Sequence, residues 1–126
     1  MTHKTTLKHF ALFKKHVHVW LDHFGLKDWE IILSHSIPED CKGALAACEV
    51  DMTSRFCTIY LNPKWNRATT DELIKNSAFH EVCELLLGPL DICAKARHIT
   101  EDEIDSERHG VIARLYNSIA QEKYRK

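Results

Sequence analysis

The chain has 126 residues, 44% of them hydrophobic and 28% charged, the balance of an ordinary soluble globule long enough to bury a core. Seventeen Lys and Arg against 18 Asp and Glu leave a formal charge of -1, so there is no net attraction to phosphate backbones or anionic membranes and no nucleic-acid or membrane partner is expected. The opening "MTHKTTLKHFALFKKH" breaks each apolar run with Lys or His before it reaches signal-peptide or membrane-spanning length, so the expectation is one cytoplasmic domain over residues 1–126.

From Thr5 to Phe24, the residues Leu7, Phe10, Phe13, Val17, Trp20, Leu21 and Phe24 recur every three or four positions, which predicts an amphipathic helix ending at Gly25 and packed on something flat. The flat element follows. "DWEIILSHSI" puts Trp29, Ile31 and Leu33 on one face, "GALAACEVD" is small and apolar, and "RFCTIYLNP" is β-branched and aromatic. Three strands are predicted, the last two joined as a hairpin at "DMTS". "TTDEL" then opens a helix with Thr69 and Glu72 spaced as a capping box, and Gly88-Pro89 closes it. Residues from Gly88 to Ile99 are read as a loop, and Thr100 with Glu103 starts a last helix running to about Gln121. The expected fold class is α+β: a three-stranded antiparallel sheet with the N-terminal, central and C-terminal helices packed on it. The five cysteines, at 41, 48, 57, 83 and 93, contain no C-x-x-C pair and are read as small, reduced core residues.

The central helix carries the chemistry, in the stretch "NSAFHEVCELLLGPL". His80, Glu81 and Glu84 stand in an otherwise apolar run, and burying lone charges costs far more than a leucine returns, so they need partners or a metal. On a helix His80 and Glu84 differ by about 40° in direction and about 6 Å in height, so their side chains converge, while Glu81 points about 100° away and overhangs that point. The H-E-x-x-H zinc motif works this way: residues i and i+4 bind the metal and the intervening Glu accepts a proton from metal-bound water. Here "HEVCE" has Glu84 in place of the second His.

A catalytic zinc site ordinarily takes three protein ligands, so the last helix is the expected source of the third. Its apolar stripe runs over Ile104, Val111, Ile112, Leu115 and Ile119, with Asp105, Glu107 and His109 around it. A helical wheel groups His109 with Ile112, Ala113, Tyr116 and Ala120, and Glu107 with Glu103, Arg114 and Ser118, which reads His109 as enclosed and Glu107 as solvated. His80, Glu84 and His109 then give two imidazoles and one carboxylate. Asp105 is the next candidate, as a fourth ligand or as a group that orients an imidazole.

With "AFHEVCELLLGPL", "DSERHGVIARLYN" and this element order, the chain resembles the short zincin metallopeptidases of the SprT-like or minimal gluzincin type, which include small phage-encoded metallopeptidases. The resemblance covers nearly the whole chain. It implies a Zn2+-dependent peptidase that cleaves a peptide or protein substrate, with His80, Glu84 and His109 as metal ligands and Glu81 as general base. It also implies a substrate held in extended form along a sheet edge, placed here at the third strand near Tyr60. Tyr116, His98 and His35 are the candidate oxyanion donors by type.

The competing expectation is a catalytically inactive protein on the same scaffold, such as a phage factor that binds a host protein. At the level of single groups the alternatives are a buried polar cluster in which His109 or Arg108 bonds His80, Glu81 and Glu84, and a metal contact from Cys83. His9, His16 and His23, seven apart, are read as a helix flank.

Overall fold

The structure, a computed structural model, describes residues 2–96 and 98–120. In chain order it runs through β1 (His3–Lys4), α1 (Leu7–His23), β2 (Glu30–Ser34), a 3-10 turn (Glu39–Cys41), β3 (Ala46–Asp51) and β4 (Phe56–Leu61). It continues with β5 (Lys64–Trp65), α2 (Asp71–Lys95), α3 (Glu101–Leu115) and a wider π-turn at Tyr116–Ala120. The chain is α+β, as its sequence periodicities predict.

α1 starts where Thr6 accepts a hydrogen bond from the His9 amide and the His9 ring accepts one from the Thr6 amide, a reciprocal cap with imidazole in the place of the usual Glu. It ends in a Schellman arrangement: Leu26 N–H bonds the Leu21 carbonyl and Gly25 N–H bonds that of Asp22. Gly25 has φ of 67°, a left-handed backbone that a side chain would strain.

β2, β4 and β3 form one sheet in that spatial order. Period-two alternation sends Ile31, Leu33, Cys57, Ile59, Leu61, Ala46, Cys48 and Val50 to the side that shares a core with the helices. At the turn Asp51 accepts bonds from the Thr53 and Ser54 amides, and Arg55 takes a positive φ. A second small sheet pairs β1 with β5, so Trp65 is locked under the N-terminus, 1% exposed.

Three expectations are corrected. The sheet is mixed rather than antiparallel: the chain crosses from β2 to lay β3 at the far edge, and β4 then fills the gap, antiparallel to β3 but parallel to β2. The central helix passes straight through Gly88-Pro89 to Lys95, so the predicted loop from Gly88 is helical over its first eight residues, 88–95. Gly88 lacks the positive φ of a helix stop and sits against β3, where an added Cβ would meet Val50 at 3.3 Å. Finally, α1 and α3 make their main backbone approach to α2, which is the helix that comes up against β3.

The cap of α2 also falls one residue later than expected. Thr70 accepts the Leu73 amide at 3.2 Å, whereas the Thr69 hydroxyl turns to the Lys4 carbonyl. Thr70→Ala is therefore expected to cost about 1 kcal/mol, and Thr69→Ala less than about half of that. Urea denaturation of the two variants checks the assignment, and equal losses would return the cap to Thr69.

Candidate functional site

The rotation of α2 about its axis decides what the motif residues can do. Ile74, Ala78, Val82 and Leu85 are all 0% exposed and lie within about 80° of one another on the helix. That buried line sets Glu81 about 55° from its centre and His80 and Glu84 more than about 110° away. The consequence is a graded exposure: Glu81 is 6% exposed, while the side chains of His80 and Glu84 are 68% and 58% exposed.

His80 Nε2 lies 3.4 Å from Glu84 Oε1, so the two groups converge as the i, i+4 spacing predicts. His80 and Glu81 line a groove of about 330 Å³ whose other walls are Ala44 to Ala46, at the start of β3, and Leu73, Asn76 and Ser77 of α2. Burial pushes the Glu81 carboxyl up to about 7, against an opposing pull from His80 and with a smaller push from Glu84. A buried carboxylic acid that titrates near neutrality can both take and return a proton.

Cys48, Cys57 and Cys83 are small packing groups of the core. Cys48 Sγ lies 3.3 Å from Cys57 Sγ, and that contact, burial and the negative fields of Cys57, Glu81 and Glu84 all hold its thiol well above the usual range. Cys83 is half-buried against the core, and burial and Glu84 raise its thiol too. Raised thiols are poor nucleophiles.

Among the described residues the structure does not gather His109 of α3 with His80 and Glu84. His109 is exposed and its Nδ1 lies 2.7 Å from the carbonyl of Asp105 on its own helix, while the Asp105 carboxylate pairs with Arg108 at 2.8 Å. Among the described residues no group of three or more His, Cys, Asp and Glu side chains is disposed to hold one metal ion. Of the three expected ligands the structure brings His80 and Glu84 together, one imidazole and one carboxylate of the kinds that zinc takes.

The wheel reading of α3 is reversed. Glu107 is half-buried and lines a cavity with Leu85, Leu86, Pro89 and Val111, whereas Ile112, Leu115 and Ile119 are exposed. Arg114 sets this rotation: its guanidinium bonds the Gly25 carbonyl and reaches Asp28 at 3.4 Å, and Arg55 holds the same Asp28 at 2.7 Å. The Glu107 and Arg114 side of α3 is thereby pinned inward, and the His109 side faces out.

Other expected roles also move. Tyr60 stands on β4, paired on both sides, so an extended peptide has no edge there; the edge beside the groove is β3. His35 is held at 2.7 Å from the Thr5 hydroxyl and stacked on Phe10, and burial lowers its basicity. Neither His35, His98 nor Tyr116 lines the groove; Asn76 and Ser77 do, and they are the polar residues the sequence reading missed. Helical spacing could have found them, because they stand one turn before His80 and Glu81. No known protein family matches the chain, and neither do curated proteins or solved structures.

Glu81 makes stability depend on pH with a definite sign. Its folded value of about 7 exceeds the ordinary 4.5, so the folded state holds the proton more tightly and stability falls as pH rises between the two. The expected loss is about 3 kcal/mol, complete above about pH 7. Glu81→Gln removes the charge and flattens this limb. Chemical denaturation from pH 4 to pH 8 in the presence of chelator measures it, and parallel profiles for both proteins would contradict the burial.

Proposed function

We propose that the chain is a zinc-dependent peptidase working in the groove between α2 and β3, on a peptide or protein substrate held in extended form along β3. The observation that carries this reading is the convergence of His80 and Glu84 to 3.4 Å beside a buried Glu81. His80 and Glu84 would hold the metal, one imidazole and one carboxylate, both open to solvent on one side. When bound, zinc supplies electrophilic activation of a water and of the substrate carbonyl.

The chain's own contribution follows from the groove. Among the described residues β3 pairs with β4 only, so its outer edge can hydrogen-bond an extended substrate backbone. Ala44 and Ala46 leave room for that backbone to lie close to α2. Glu81 takes a proton from the attacking water and returns it to the leaving amide nitrogen, both at its carboxylate oxygens. Its burial holds the carboxyl near neutral titration, where both transfers are accessible.

A second reading, a scaffold that binds a partner without cutting it, draws on the position of His109, outside the His80 and Glu84 pair. One set of measurements separates the two. Protein purified without chelator is expected to contain about one zinc per chain, to lose it in His80→Ala and Glu84→Ala, and to cleave an unfolded protein. Glu81→Gln is expected to keep the zinc and lose cleavage by at least about a hundredfold. Cleavage that survives Glu81→Gln removes the proposed base, and full zinc content in His109→Ala shows that His109 is not a ligand.

A further inference from the structure

A second concavity lies at the opposite edge of the sheet, away from His80 and Glu81. It is a groove of about 640 Å³ between α1 and β2. Its α1 wall is the row Lys15, His18, Val19 and Asp22, one face of the helix at spacings of three and four. Its floor is apolar: Leu21, Leu26 and Trp29 are each less than 10% exposed, and Ile31 of β2 continues it. Among the described residues β2 pairs with β4 alone, and no other described strand lies beside this edge of the sheet.

The groove's ionisable lining is Lys15, His18, Asp22 and Lys27, and its single carboxylate, Asp22, is already held by Lys27 at 2.7 Å. Lys15 and His18 therefore face the groove as donors for a negative ligand. Val19 and Ile32, 48% and 47% exposed, place an apolar rim on each side of the β2 edge.

We infer that this groove docks an extended, acidic segment of a partner protein as a strand added to β2. A free strand edge presents alternating N–H and C=O groups, which another peptide backbone matches and a nucleic acid or lipid headgroup does not. Side chains of the added strand alternate in direction: one set reaches the Leu21, Leu26 and Trp29 floor, and the other lies on the Ile32 side. Acidic residues along the segment meet Lys15 and His18, which sets direction and encounter rate. The inference is independent of the proposed peptidase reading, because β2 and β3 are opposite edges of the sheet.

The test uses the full chain, 15N-labelled, titrated with a short peptide alternating glutamate and valine. Amide shifts are expected at Lys15, Val19 and along β2, together with new protection of β2 amides from hydrogen exchange. Lys15→Glu with Lys27→Glu, both at exposed positions, is expected to weaken that peptide by at least about tenfold and to accept a lysine and valine peptide in its place. The proposal is overturned if the peptide does not bind, if the shifts fall on β3 or at His80, or if charge reversal leaves the preference unchanged. It is also overturned if single-stranded DNA or phosphatidylserine vesicles engage the same residues more tightly and without protecting β2, which would make the face a plain anion surface.

Discussion

The buried line Ile74, Ala78, Val82 and Leu85 is the constraint from which the rest of this molecule follows. These side chains share one core with Cys57, Ile59 and Leu61 of the central strand, and none of the seven exposes any surface. Turning α2 by one residue, about 100°, would carry Ala78 and Val82 out of the core and bring Glu84 and His80 into it. The core thus fixes the rotation, and the rotation grades the three ionisable residues from a buried acid to a solvent-facing pair. The motif's chemistry is a by-product of packing.

The same constraint explains why α2 runs through a proline. A proline inside a helix removes one hydrogen bond and costs about 3 kcal/mol or more. Beyond Pro89 the helix still buries Cys93, and before it Leu85 and Leu86 pack the core, each buried side chain returning about 1.5 to 3 kcal/mol. Gly88 meanwhile lets Val50 approach the helix, tying β3 to the groove wall. Packing on both sides of the break outweighs the local signal to stop.

What could be read from the residues alone was what local periodicity encodes. The existence of three main strands, the inward face of β2, the α1 stripe apart from the exposed Leu7, and the Thr100 cap all follow from spacing within one element. Strand direction did not, because alternation of side chains is the same for parallel and antiparallel neighbours. The facing of α3 was lost for a different reason. Its moment is weak and no residue of α3 is fully buried, so its rotation depends on Arg114 meeting Asp28, 86 positions away. Within the site, the convergence of His80 with Glu84 and the separate direction of Glu81 are helical geometry and were legible. The groove's other wall, Ala44 to Ala46, belongs to a crossover that no local pattern announces.

Parallel pairing of β2 with β4 carries a consequence for the order in which the sheet assembles. Hairpin partners Asp51 and Phe56 stand five positions apart, whereas Glu30 meets Phe56 across 26. Closing the longer loop costs about 1.5 kcal/mol more chain entropy. Loop closure alone thus favours forming the hairpin before β2 is recruited to its neighbour, β4. The strand that joins last is also the one whose outer edge stays open, so in the folding chain β2 passes through the same unpaired state that its free edge keeps in the finished molecule.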